Sequence, residues 1–191
     1  PLAELQDAIE DAARTLSDTK PDIIVFHCTA SSMEDGLAGE ERVTEWIRQA
    51  TGCATITTGQ AVTAALHTLA ARKVVLISPY VEATNRLELN YMKEAGFEVL
   101  HELGLGLPGG DAYIAVTPDQ WLQIVVDNIR PEAEGYFLSC TNTRMIEIID
   151  TAEKRLGRPI VTSNQAALWA CLQRMGHPQN IPGLGRLFAD I

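Results

Sequence analysis

No stretch of this 191-residue chain is apolar for long enough to read as a membrane span. Crossing a bilayer as a helix takes ~20 residues with few charges, and here the apolar runs are short and broken by polar residues. Leu2 to Leu16 is studded with Glu and Asp, so that segment carries no secretory signal pattern. A cytoplasmic location is the expectation, with no membrane partner. Positive charge is also scarce. Lys and Arg number 15 against 25 Asp and Glu, a formal charge of −10, and they form no basic stripe. That argues against a nucleic-acid partner. It does not argue against a small anionic substrate, because helix dipoles and local N–H groups decide such a site. The four cysteines, Cys28, Cys53, Cys140 and Cys171, show no CxxC spacing, no HxxxH accompanies them, and His27, His67, His101 and His177 are scattered. No zinc site is expected, and free thiols are expected in place of disulfides. Gly104–Gly110 (GLGLPGG) lacks both the Lys-Ser/Thr ending of a phosphate loop and a GxGxxG order before a helix. It reads as a flexible loop over the site.

What is present is an ordinary globular composition, 46% apolar and 21% charged. The length is sufficient for one large domain or two small ones with a real core. Short runs rich in β-branched or aromatic residues read as buried parallel strands: Asp22–Cys28, Lys73–Pro79, Gly135–Cys140 and Pro159–Thr162, with Ala54–Thr57 and Phe97–Leu100 as weaker candidates. Helical spacing connects Leu2, Leu5, Ile9, Ala12 and Leu16. It also connects Val43, Ile47 and Ala50, and then Val62, Ala65, Leu66 and Leu69. Leu87, Tyr91 and Ala95 lead into Gly96, a helix stop. Thr117-Pro118-Asp119 is a helix start, and two further stripes end at Gly157 and Gly176. Strands alternating with helices predict an α/β fold with parallel sheets.

The chain also repeats itself weakly. PDIIVFHCTASS followed by TITTGQAVTAAL is matched by EGYFLSCTNTR followed by IVTSNQAALWACL. Each copy holds a strand, Cys-Thr, a helix, a short strand ending in Thr or Ser, and Gln-Ala near the start of a helix. Duplication predicts two similar halves, residues 1–78 and 79–177, with the tail 178–191 returning to the first. The second copy opens with an additional strand and helix. An equivalent pair is expected before Pro1 in a longer form, with a chain that begins naturally at a helix as the competing explanation.

Duplication places Cys28 and Cys140 at equivalent strand ends. Ligands of open parallel sheets bind beyond such ends, where the following helices direct N–H groups that favour carboxylates and thiolates. A single cysteine there is more often a small buried residue; the matched pair reverses that judgement. Two thiols across one substrate can invert a stereocentre by taking and giving a proton. Alternatively, one thiolate can add to an activated double bond, allow rotation and eliminate. Either route builds charge on a substrate carboxylate, for which Thr29, Ser31, Thr141 and Asn142 are placed to supply donors. Tyr80 stands at a strand end near the same crevice. Asn85 is either a ligand there or a helix cap. His27 should face away from Cys28, Cys53 and Cys171 read as packing residues, and Arg144, one turn into a helix, is either a carboxylate ligand or simply exposed.

HCTASS, SPYVEATN, LSCTNTR and TSNQAALW together resemble the aspartate/glutamate racemase superfamily, and within it the maleate cis-trans isomerase and arylmalonate decarboxylase branch. The resemblance implies two Rossmann-like halves related by a pseudo-twofold, with the active site between them. It implies Cys28 as nucleophile, Cys140 as proton donor or acceptor, and Tyr80 on a substrate carboxylate. Thr29, Ser31, Asn85, Thr141 and Asn142 remain the further substrate-binding candidates. The decarboxylases carry glycine at the first cysteine position, so Cys28 favours isomerase or racemase. Members also use an asparagine near the end of a first strand that has no counterpart here. The Cys-Thr-Ala order, where relatives commonly have serine after Cys-Thr, implies a shifted substrate preference. The expectation is a cofactor-independent isomerase of a small dicarboxylate, maleate first, with no metal, nucleotide or pyridoxal phosphate. The alternatives are a racemase of a small α-substituted acid, an arylmalonate-type decarboxylase, and a non-catalytic small-acid binding domain. A homodimer or higher homo-oligomer is the default for such an enzyme.

Overall fold

The computed structural model describes residues 2–189. Its six strands are β1 (Ile23–Phe26), β2 (Ala54–Thr57), β3 (Lys73–Ser78), β4 (Glu98–Gly104), β5 (Gly135–Leu138) and β6 (Ile160–Thr162). β1 and β2 form a two-stranded parallel sheet, and the other four form a parallel sheet in the order β4-β3-β5-β6. All six expected strands are present, with β4 running further than expected. The expected division after residue 78 moves, because β3 pairs with β4 and β5. The sheet of the second half therefore begins at Lys73.

Helices fill the connections: α1 (Gln6–Ser17), α2 (Thr29–Met33), α3 (Gly36–Thr51), α4 (Thr58–Thr68), α5 (Glu82–Glu94), α6 (Asp111–Ala115), α7 (Pro118–Asp127), α8 (Ile149–Leu156), α9 (Ser163–Arg174) and α10 (Arg186–Ala189). None is long and apolar enough to cross a membrane. Gly96, Gly157 and Gly176 follow α5, α8 and α9 with positive φ, the left-handed conformation that lets a chain leave a helix.

The repeated Gln-Ala word has a physical origin. Thr57 caps α4 by accepting from Gln60 N–H, while the Gln60 side chain accepts from Thr57 N–H; Thr162 and Gln165 do the same for α9. Each is a capping box, satisfying two otherwise orphaned donors at a helix start. The two capped helices pack against each other. Around them lies the largest core, in which Val62, Leu66, Ala166 and Trp169 meet Leu76, Phe137 and Met92. This core joins the halves and fixes the strand ends of both sheets relative to one another.

The tail does not return to the first half alone. Gly185 N–H donates to Asp150 Oδ1 (3.1 Å), Arg186 N–H to Glu153 Oε2 (2.9 Å), and Gln165 Nε2 to the Leu184 carbonyl (2.7 Å), all in the second half. Leu187 and Phe188 then enter the joint core. Backbone donors thus tie the segment to acidic side chains of α8, while its apolar residues seal the seam.

Candidate active site

Cys28 and Cys140 follow β1 and β5, at equivalent ends of the two sheets. Cys28 is half-buried in extended backbone at the start of α2, and its thiol donates to Ser31 Oγ at 3.2 Å. Cys140 is 5% exposed and has φ +128°, a conformation that favours glycine. Its own N–H donates to Ser163 Oγ (3.1 Å), and its sulfur accepts from Asn142 N–H (3.3 Å).

Tyr80 packs in one buried cluster with Cys140, and the interaction of its hydroxyl with the Cys140 sulfur bears on the acidity of both groups. Burial, then Glu88, then Cys140 push the Tyr80 phenol above its ordinary range, so it stays a proton donor. Burial likewise pushes the Cys140 thiol up, opposed by the Tyr80 hydroxyl and the Asn142 N–H. Cys140 therefore holds its proton at neutral pH while having two donors ready for the thiolate. Tyr113, on α6, meets the Tyr80 ring edge-on with centroids 5.6 Å apart.

The remaining expected ligands divide. The Thr29 hydroxyl is buried and donates to Ser163 Oγ at 2.8 Å, so that proton serves the contact between halves and is not free for a carboxylate. Asn85 is also diverted. Its Oδ1 accepts from Ser78 Oγ (2.7 Å) and its Nδ2 donates to Glu102 Oε2 (3.3 Å), which ties the end of β3 to β4 behind Tyr80. Ser31 stays beside Cys28, and Thr141 is half-buried with its carbonyl accepting from Asn164 Nδ2 (3.1 Å). The exposed Asn142 side chain donates to the Gly110 carbonyl at 3.0 Å, so the glycine-rich loop is tethered at the site. Arg144 precedes a 3-10 turn, Met145–Ile148, and pairs with Glu147 in solvent. Among the described residues, no three His, Cys, Asp or Glu side chains converge as metal ligands.

A model of the family described as arylmalonate decarboxylase matches residues 2–188. The chain belongs to the arylmalonate decarboxylase family. Within the family, it is 27% identical to a maleate isomerase of Pseudomonas putida (strain KT2440), across 98% of this chain and 78% of that protein. It is 28% identical to an arylmalonate decarboxylase of Bordetella bronchiseptica, across 96% of this chain and 78% of that one. A solved arylmalonate decarboxylase superposes with a TM-score of 0.91 at 27% identity, covering 98% of this chain and 83% of the other. These matches confirm the expected branch of the superfamily and the α/β architecture. The relatives that the chain resembles include both a maleate isomerase and an arylmalonate decarboxylase.

Several residues of this family member's site were not expected from sequence. Ser163 and Asn164 open α9 and bind both cysteine motifs, although strand-end logic applied to β6 would have found them. His27 bridges the halves: Nδ1 meets Thr58 Oγ1 (3.1 Å) and Nε2 meets Asn164 Oδ1 (2.9 Å). Glu88 is fully buried behind the site. The expected α5 stripe of Leu87, Tyr91 and Ala95 concealed it. The buried face is Asn85, Glu88, Tyr91 and Met92, and Leu87 is exposed.

Proposed function

We propose that this protein is a cofactor-independent cis-trans isomerase of a small dicarboxylate, with maleate as the first candidate. The observation that carries the reading is that Cys28 and Cys140 follow β1 and β5 at equivalent strand ends, with the buried Tyr80 packed in one cluster with Cys140. In the proposed mechanism, the Cys28 thiolate adds to one olefinic carbon. A carbon–sulfur bond forms, the π bond breaks, and its electron pair passes into the carboxylate conjugated with the other carbon. The Tyr80 hydroxyl and the Ser31 hydroxyl stabilise the charge that develops there. Cys140, which keeps its proton at neutral pH, protonates the carbanionic carbon. Rotation about the new single bond follows, the Cys140 thiolate takes a proton back, and Cys28 leaves with the electron pair of the carbon–sulfur bond. Fumarate results with no net change in atoms or electrons.

Proton NMR of maleate incubated with the reduced protein in D₂O tests this, with Cys28→Ser as control. Fumarate formed by the parent and not by the variant is expected. Unchanged maleate with the parent protein removes maleate as substrate.

A second reading is decarboxylation of a substituted malonate, favoured by the identity to the Bordetella bronchiseptica enzyme and by the Cys140–Tyr80 contact, which can deliver a proton to a carbanion without Cys28. Carbon dioxide release that survives Cys28→Ser would select it.

A further inference from the structure

Behind the site lies an acid that the proposed chemistry does not use. Glu88, on the inner face of α5, has no exposed surface. Its Oε1 accepts from Ser139 Oγ at 2.5 Å, and its Oε2 is buried with no hydrogen-bond partner. Ser139 is the residue before Cys140, and its N–H donates to the Ile77 carbonyl at 2.8 Å. The strained Cys140 turn is thus held on one side by Ser163 and on the other by Ser139, which rests on Glu88.

We propose that Glu88 is a positioning residue for Cys140: as the neutral acid it supports Ser139 beneath the Cys140 turn, and on ionising it sets a buried negative charge behind the thiol and the Tyr80 hydroxyl. The groups around it fit that role. Tyr80 beyond β3, Cys140 beyond β5 and Tyr113 on α6 all feel its charge. Packed against α5, α2 contributes no ionisable side chain. From α3 comes Glu40, which is occupied by Thr57 and Tyr91, and from β4 comes Glu102, which is occupied by Asn85. No cation among the described residues pairs with Glu88. Burial, only partly offset by the Ser139 hydroxyl, pushes its carboxyl up to about 8. A buried carboxyl without a cation keeps its proton, because desolvation penalises the charged form. Near neutral pH the thiol therefore has no charge at its back, and above about 8 it acquires one.

This inference rests on Cys140 as proton donor, but its test needs no substrate. The full-length reduced protein is alkylated with iodoacetamide from pH about 6 to about 10, a range that brackets ordinary thiol ionisation, and Cys140 is followed by peptide mass spectrometry. Glu88→Gln keeps a neutral side chain of the same shape. At pH about 9, Cys140 of the variant should react roughly three- to tenfold faster than in the parent, and below about 7 the two should match. Ser139→Ala supplies a second test. Losing the Ser139 hydrogen bond keeps Glu88 neutral to higher pH, so the same direction is expected. Equal Cys140 profiles in the parent and a folded variant, or slower reaction in Glu88→Gln, would overturn the assignment. Failure to isomerise maleate would leave these profiles intact and count only against the substrate.

Discussion

Thr29 Oγ1 donates to Ser163 Oγ at 2.8 Å, and the same serine oxygen accepts the Cys140 N–H at 3.1 Å. One buried hydroxyl therefore joins the two cysteine motifs. Ser163→Ala should leave two buried donors without their acceptor. The expected loss is roughly 1–3 kcal/mol of unfolding free energy, measured by urea titration. Turnover should fall through kcat more than KM, because the substitution loosens the proton donor and removes no substrate contact.

Tyr80→Phe removes the hydroxyl that steadies a Cys140 thiolate. Two consequences should appear together. Cys140 should alkylate more slowly at any pH below its midpoint. Maleate turnover should drop about 10²- to 10³-fold, the usual scale for losing one donor to a developing anion. Slower alkylation with unchanged turnover would detach Tyr80 from catalysis.

Glu88 also makes a stability prediction. Its folded pKa of about 8 lies above the unfolded value of 4.5. Between these values the native state binds a proton that the unfolded state releases, so stability falls as pH rises through that window and levels off above it. Glu88→Gln should be more stable than the parent at pH about 8, on the order of a few kcal/mol, with the difference shrinking toward pH about 5. Paired urea titrations at the two pH values check this. Burial raises Glu40 and Glu153 as well, and comparison with the variant cancels their contributions.

Strand ends, helix stops and the duplicated cysteine motif were legible because each depends on local chemistry: β-branched runs, glycine after a helix, threonine three residues before glutamine. The destinations of polar side chains were not. Thr29 reads as a carboxylate ligand until Ser163, 134 residues away, is brought against it. Asn85 reads as a ligand or cap, and only the pairing of β3 with β4 delivers Glu102 to its amide. Glu88 escaped because the expected stripe of Leu87, Tyr91 and Ala95 shares only Tyr91 with the buried face of α5. An exposed Leu87 is compatible with that spacing once tertiary contacts set the rotation.

Cys140 has φ +128°, where a Cβ is disfavoured. Replacing it by glycine should relax the turn, and replacing it by alanine should not. Cys140→Gly is expected to be more stable than Cys140→Ala by roughly 1–2 kcal/mol, the reverse of their order at an ordinary position. Thermal unfolding of both variants, with neither expected to transfer a proton, measures the strain directly.

The same turn would bias laboratory evolution of this protein. A screen that rewards only heat resistance or expression would tend to enrich glycine at position 140, because it removes strain from every molecule and the screen does not register the missing thiol. Libraries selected for robustness would drift toward inert scaffolds unless turnover is scored in the same round. Position 140 is therefore a residue to hold fixed while the rest of the chain is varied.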